Sequence, residues 1–246
     1  MSYKEFSYYY DYFNYNADYD VLADKIHSWA SAEKLDGKIA CDLGCGTGEL
    51  AIRLNEKGWD VIAVDCSEEM LDVFNDKRAE LGLYNILILN QDITKLDMYG
   101  TVDLFTCTFD TVNHLNGAKD VQKLFDKVSL FMHPDGVFIF DMNTEYKHIS
   151  VLGNEKFSFE EAEADCIWRN TLEKEKGRTK ISIRIEDKQS DESYYEEFYE
   201  HFYSLDAIKQ MLEKSGMKIC KIVDGENFGE ISETSQRYLL MVKKEQ

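Results

Sequence analysis

The sequence predicts an α/β protein built on a mostly parallel, doubly wound sheet with helices on both faces, and three observations carry that prediction. Short apolar segments of strand length alternate with helical ones from about residue 39 to residue 141. The first of them, Ile39-Ala40-Cys41-Asp42-Leu43, runs through Gly44-Cys45-Gly46-Thr47-Gly48 straight into Glu49-Leu50-Ala51-Ile52-Arg53-Leu54. A strand that passes through a glycine turn into a helix N-terminus is how α/β proteins build a nucleotide pocket. Between about 150 and 203 the strands become longer and alternate apolar with polar residues, the mark of antiparallel strands with one wet face.

Taken in order, residues 3–34 carry an aromatic-rich segment. Phe6, Tyr9, Tyr10 and Phe13 recur at helical spacing, as do Tyr8, Tyr12, Tyr15 and Tyr19, so one or two helices precede the first strand. Strand 39–43 leads to helix 48–57, and strand 60–64 to helix 67–81, with Ser67 as its N-cap. Strands 86–89 and 102–107, a helix over 118–132 and strand 137–141 follow. Thr179–Ile185 and Glu197–Tyr203 alternate as antiparallel strands, with Gly177 and residues 187–191 as hairpin turns. Helix 205–215 is closed by Gly216, and strands at about 217–223 and 236–243 bring the main sheet to seven. The 150–203 segment reads as an insert in one domain.

Composition narrows the partners. Acids outnumber bases 47 to 28, for a net charge of −19, and phosphate binding needs a basic footprint. Nucleic acid is therefore not expected, and a small or cationic substrate is favoured. No apolar run approaches the roughly 20 residues of a membrane span, and Met1-Ser2-Tyr3-Lys4-Glu5 opens no signal peptide, so a cytoplasmic protein off the membrane is expected. The six cysteines include no Cys-x-x-Cys pair and read as free, mostly buried thiols.

The residues around the glycines choose between nucleotides. A dinucleotide fingerprint would place Gly or Ala where Glu49 stands. A carboxylate ahead of the turn, Asp42, and another behind it suit a ligand with an amino group and no phosphates. Asp65 closes the second strand, where an acid accepts hydrogen bonds from ribose hydroxyls; a helix-cap role is the plainer alternative. Asp92, in Asn90-Gln91-Asp92-Ile93, closes the third and can accept from an adenine amine, while Met70 and Ile93 offer apolar faces to the ring.

Together these motifs resemble the class I S-adenosylmethionine-dependent methyltransferases, with their Rossmann-like fold, over nearly the whole chain. His133-Pro134-Asp135-Gly136-Val137-Phe138 resembles the turn entering that family's fifth strand, with aspartate for its first glycine, and Arg237-Tyr238-Leu239-Leu240-Met241-Val242 its last, antiparallel strand. Phe6-Ser7-Tyr8-Tyr9-Tyr10-Asp11, Phe109-Asp110-Thr111-Val112-Asn113-His114-Leu115 and the run from Glu197 to Ser204 are similar to a bacterial small-molecule subgroup. That subgroup holds the amino-sugar N,N-dimethyltransferases and relatives of glycine N-methyltransferase. The resemblance implies S-adenosyl-L-methionine as methyl donor, held by Tyr10, Tyr12, Asp42, Gly44, Cys45, Gly46, Gly48, Asp65, Cys66, Met70, Gln91, Asp92, Ile93 and Thr108. It also implies N-terminal lid helices over 1–37, a cofactor-binding core over 38–148 and 204–246, and an antiparallel insert over 149–203. The insert would follow the fifth strand, cover the acceptor and could make dimer contacts; a monomer or a homodimer is expected.

The chemistry expected is direct displacement onto a small-molecule acceptor, at an amine nitrogen. An attacking amine must be neutral, so a base or a desolvated pocket would help. His114 is the leading candidate base, with a turn-capping role as its plain alternative, and Asp110 and Asn113 could position the acceptor. The single proline, Pro134, excludes the Asn-Pro-Pro-aromatic and Pro-Cys motifs of base-modifying enzymes. Asp110, Asp141 and Asn143 near strand ends could hold a magnesium-like ion, but the resembled family uses none and no metal is expected. A protein or tRNA methyltransferase, or a cofactor-binding regulatory protein without methyl transfer, are the alternatives.

Overall fold

The computed structural model describes residues 6–13, 17–35, 38–160, 164–190 and 192–245. Two helices, α1 (Phe6–Phe13) and α2 (Tyr19–Ala32), precede strand β1 (Ile39–Leu43). Helix α3 (Glu49–Glu56), β2 (Asp60–Asp65), α4 (Glu68–Leu81), β3 (Leu87–Asn90) and β4 (Val102–Cys107) follow in alternation. A short helix α5 (Thr111–His114), α6 (Ala118–Phe131) and the long strand β5 (Met132–Asn143) complete the parallel part. After four strands described below come α7 (Leu205–Lys214), β10 (Met217–Asp224) and β11 (Arg237–Lys244). The main sheet has seven strands in the order β10-β11-β5-β4-β1-β2-β3, with β11 antiparallel to both of its neighbours.

Pleating explains why the parallel strands read as continuous apolar runs: successive side chains point to opposite faces, and helices cover both. Ala40, Val61, Ala63, Leu104 and Ile139 pack with Ile26 of α2 and Leu50 and Leu54 of α3. Their neighbours in the chain, Cys41, Val64, Phe105 and Phe138, pack on the other face with Leu124 and Phe125 of α6 and Ile208 of α7. Ser67 caps α4, accepting from the Met70 N–H at 3.3 Å, a contact worth about 1 kcal/mol.

Between β5 and α7 lie a π-helical turn at Lys147–Leu152 and four strands: β6 (Lys156–Glu160), β7 (Ala164–Glu173), β8 (Arg178–Asp187) and β9 (Ser193–His201). They form a separate antiparallel sheet in that order. Its apolar face, Cys166, Ile181, Ile183, Ile185 and Phe198, packs with Tyr9 and Tyr10 of α1 and with Trp168. Helix α1 thus bridges two regions. The Tyr9 hydroxyl donates to the Asp187 carboxylate at the β8–β9 turn. On its other side, Asp11 accepts from Thr47 Oγ1 at 2.6 Å and pairs with Lys77. Tyr15, and the side chains of Phe6, Tyr8 and Phe13, lie outside the described residues.

Some boundaries differ from expectation for local reasons. β5 starts at Met132 rather than 137, because Met132 already pairs with Val102 before an irregularity at Val102/Leu104. The expected strand 197–203 is β9, shifted to 193–201: His201 pairs with Arg178 at the start of β8, and the chain then turns towards α7. Helix α5 is too short, at four residues, to show a period. No described helix is long and apolar enough to cross a membrane.

Candidate active site

The glycine turn forms the floor of a cavity of about 540 Å³, within the usual range for small-molecule sites. Gly46 has φ +53° and lines this cavity, and a Cβ added to it would meet nothing within 4 Å. The backbone there lies open to a ligand. Gly48 is a glycine for a different reason: at φ +85° an added Cβ would fall 2.2 Å from the Phe74 ring, so its bareness lets α3 and α4 approach.

Three strand-end acids stand in different environments. Asp42 is almost wholly buried beneath the turn and accepts from Thr106 Oγ1 at 2.7 Å. Burial pushes its carboxyl up to about 7; Thr106 opposes the shift and nearby Asp65 adds to it. Asp65 lines the cavity and accepts from the Gly46 N–H and the Ser67 N–H, each at 2.9 Å. Burial pushes Asp65 up while those backbone donors pull it down, and burial wins. Asp92 also lines the cavity; its Oδ1 accepts from the Thr94 N–H at 2.9 Å, and its Oδ2 pairs with Lys95 at 3.0 Å. Both the ligand-facing and the capping readings of Asp65 thus have a geometric basis, and Asp92 lines the cavity while accepting from the turn that follows it.

The chemistry-bearing cluster stands at the ends of β4 and β5. Phe109 and Asp110 follow β4 with φ of +53° and +54°, a left-handed pair that is uncommon for side-chain-bearing residues. The Asp141 carboxylate holds them there, accepting from the Phe109 N–H at 2.9 Å and the Asp110 N–H at 2.7 Å. Arg237, at the start of β11, completes the lock by bridging Asp141 at 3.0 Å and Asp110 at 3.1 Å. Asp110 then presents Oδ2 3.5 Å from His114 Nε2, and Glu200 of β9 presents Oε1 at 3.8 Å from the same nitrogen. His114 lies over the Phe198 ring, with centroids 5.0 Å apart.

Electrostatics sort these groups. Burial would raise Asp110, but the His114 bond and the Arg237 charge outweigh it and hold the carboxyl well below its usual range. Burial would lower His114, but Asp110 and Glu200 outweigh it and raise the imidazole. Glu200 is pushed up to about 6 by burial and by the Asp110 charge. Behind it, fully buried His148 is driven down to about 4 by desolvation, and its Nε2 points at Glu200 Oε2 from 3.6 Å. A carboxylate–imidazole–carboxylate array of this kind can hold a proton taken from a ligand.

Of the expected site residues, the cavity brings together Tyr10, Gly44, Gly46, Asp65, Cys66, Met70, Asp92, Ile93, Asp110 and His114. Tyr12, Asp42, Cys45, Gly48, Gln91, Thr108 and Asn113 are not among its lining. Asn113 needs a correction. It is fully buried, donating Nδ2 to the carbonyls of Asn143 at 3.1 Å and His201 at 2.9 Å, and accepting from the Asn143 N–H at 2.9 Å. Its amide is consumed in tying β5 to β9, which keeps it out of the cavity lining. Gln91 exchanges hydrogen bonds with the Asp97 backbone.

The Asp110–Asp141–Asn143 grouping, considered above for an ion and set aside, is not brought together as a ligand set. Asp141 is taken up by two N–H groups and Arg237, and it is Asp110, His114 and Glu200 whose ligand atoms lie within 4.8 Å of one another. That trio has a donor set a divalent cation could use. Arg237 and Lys147 line the same cavity and add positive charge against it.

Sequence reasoning missed Glu200, Lys147 and Trp168 as lining residues. Glu200 had a signal: along β9 it shares a face with buried Phe198, and an acid on the inward face of an alternating strand is out of place unless used.

A seven-stranded sheet whose next-to-edge strand is antiparallel, a glycine turn after β1 and an acid closing β2 define a doubly wound α/β protein with the layout of a nucleoside pocket. Comparison with known proteins carries this to a family. A family model described as a methyltransferase domain matches residues 40–136. An S-adenosylmethionine-dependent methyltransferase from Clostridium acetobutylicum ATCC 824, known from its crystal structure, is similar at 30% identity, with 99% of each chain covered and a TM-score of 0.90. A protein of Geobacillus sp. (strain WCH70), provisionally named a methyltransferase, is 29% identical over 252 residues, covering 99% of this chain and 100% of its own. CalS10, an amino pentose methyltransferase from Micromonospora echinaspora solved with its methyl donor bound, shares the fold at 16% identity, with 96% of each chain covered and a TM-score of 0.76. The chain belongs to the S-adenosylmethionine-dependent methyltransferases. The cavity fits that donor, since open space over Gly46, the Asp65 and Asp92 carboxylates and the apolar faces of Met70 and Ile93 match the hydroxyls, amine and ring of an adenosine.

Proposed function

We propose that the protein methylates a small-molecule amine, with the acceptor nitrogen next to His114. S-adenosylmethionine, when bound, supplies a methyl group activated by its sulfonium centre. Gly44, Gly46, Asp65, Cys66, Met70, Asp92 and Ile93 hold the donor in this reading, with Tyr10 of α1 closing over it. The observation that carries the acceptor assignment is His114 set between Asp110 and Glu200 on the wall of the same cavity. Two carboxylates beside the aromatic faces of Phe198 and Trp168 favour a cationic amine. His114, oriented by Asp110, accepts the proton the amine must shed, and Glu200 stabilises the imidazolium that results. Holding donor and acceptor in line contributes on the order of 7–11 kcal/mol without a covalent intermediate.

The four-stranded insert and α1 act in this reading as a cover over the acceptor, in a cytoplasmic enzyme that needs no metal. The fold likeness to an amino pentose methyltransferase, insert included, supports it, and the net charge of −19 weighs against nucleic-acid acceptors. The test is an acceptor screen that measures S-adenosylhomocysteine release across matched amines and alcohols. Turnover of amines supports the reading; turnover confined to alcohols, or to nucleic acid, refutes it.

A further inference from the structure

Lys147 is a half-buried lysine that lines the active-site cavity. Its Nζ makes one hydrogen bond, to Asn143 Oδ1 at 3.0 Å, and no described carboxylate comes within 4.0 Å of it. On its other side the same amide donates Nδ2 to Glu200 Oε2 at 3.2 Å. Asn143 is itself pinned through its backbone by Asn113, and it is almost fully buried. A rigid amide therefore stands between a lysine and a glutamate that would otherwise pair, with its oxygen to the cation and its nitrogen to the anion.

Keeping a half-buried cation out of an ion pair carries a cost, and an ammonium has three donors to place. Burial and the nearby Arg237 charge work against the charged form of Lys147 and outweigh the support it draws from the more distant Asp110, Glu200 and Asp141 carboxylates. An anion entering the cavity would relieve that penalty and fill the remaining donors. Glu200, at the far side of the Asn143 amide, belongs to the cluster assigned above to the acceptor nitrogen. The cavity wall thus offers a cation and an anion held a fixed distance apart.

We propose that the acceptor is a zwitterion, an amine that also bears a carboxylate, and that Lys147 selects it by pairing with that carboxylate. The proposal rests on the amine reading above and deepens it. Lys147 is a specificity residue: it touches the acceptor's anionic end and takes no part in the methyl transfer.

The test is a calorimetric titration of the S-adenosylhomocysteine-loaded protein with ω-amino acids, from glycine to 6-aminohexanoate, and with their matched primary carboxamides. Wild type, Lys147→Gln and Lys147→Arg are compared, and each pair is also assayed for methyl transfer. One charge-assisted hydrogen bond is worth about tenfold or more in affinity. At least one carboxylate is expected to bind wild type that much more tightly than its carboxamide. The ratio should fall to near one in Lys147→Gln and recover in part in Lys147→Arg. Carboxamides binding and reacting as well as carboxylates in wild type would overturn the role of Lys147 while leaving the amine reading standing. A loss of S-adenosylhomocysteine affinity in Lys147→Gln as large as the loss of selectivity would assign the lysine to the donor and also overturn it. Failure of every member of both series to bind or react would overturn the zwitterion proposal, while the acceptor screen above decides the amine reading separately.

Discussion

Replacing Asp141 with alanine tests how the site is held in shape. The Asp141 carboxylate is about 3% exposed and takes three donors: the N–H groups of Phe109 and Asp110 at 2.9 and 2.7 Å, and Arg237 at 3.0 Å. Asp141→Ala strands a buried guanidinium with Asp110 as its remaining close partner, and breaking such a pair costs about 3–5 kcal/mol. It also frees two left-handed residues whose conformations each cost roughly 1–3 kcal/mol and persist because the surroundings impose them. Part of that strain is released when the loop relaxes, which offsets some of the loss, so a net destabilisation of about 3–4 kcal/mol is expected. For a chain of this size, that lowers the unfolding midpoint by roughly 6–16 °C. The assay is urea denaturation followed by circular dichroism, with thermal unfolding as a check. A loss below about 1 kcal/mol would refute the argument, because it would mean Asp110 and Arg237 hold the loop without Asp141.

Two of the three glycines of the turn, Gly46 and Gly48, are expected to fail differently. Gly48→Ala drives a Cβ against the Phe74 ring at φ +85° and should cost roughly 2–4 kcal/mol in denaturant titrations. Gly46→Ala meets nothing within 4 Å, so it should cost about 1–2 kcal/mol of stability from its φ yet weaken S-adenosylhomocysteine binding far more than Gly48→Ala does per unit of stability lost. Equal affinities in both variants would contradict the distinction. Asp42 carries a pH signature. Its folded carboxyl is raised to about 7, so the folded state binds that proton more tightly than the unfolded chain, and stability falls as pH rises through the window from about 4 to 7. Asp42→Asn removes this slope, and its stability relative to wild type should improve by up to about 1.4 kcal/mol per pH unit across that window. A pH-independent difference between the two proteins would show that Asp42 does not titrate there.

The parallel core was legible because strands buried on both faces leave uninterrupted apolar runs, and because a glycine turn marks where the first of them ends. Asp65 and Asp92 were legible for the same reason: a strand end fixes the position of its last acid. Asn113 was not. Sequence places it beside Asp110 and His114, but whether its amide faces a ligand or ties down two backbones depends on where β5 and β9 pass. Glu200 reaches the site from the insert, through a pairing of β8 and β9 that periodicity suggests but cannot aim. Lys147 sits in a π-helical turn, which has no sequence period to read. The role of Asp42 shifted as well: it stands beneath the glycine turn bonded to Thr106, away from the ligand space where an acid ahead of the glycines was expected.

In the proposed reading Asp65 ties the turn to the donor most directly, since it lines the cavity and holds the Gly46 N–H at 2.9 Å. Losing a carboxylate that makes two charge-assisted hydrogen bonds to a ligand removes about 3–6 kcal/mol, a hundredfold or more in affinity. Calorimetric titration of wild type and Asp65→Ala with S-adenosylhomocysteine is the decisive comparison, with circular dichroism confirming that the variant is folded. The account predicts a tight single-site isotherm for wild type and at least a hundredfold weaker binding for the variant. Equal affinity in a folded Asp65→Ala protein would place the donor somewhere other than over Gly44–Gly48.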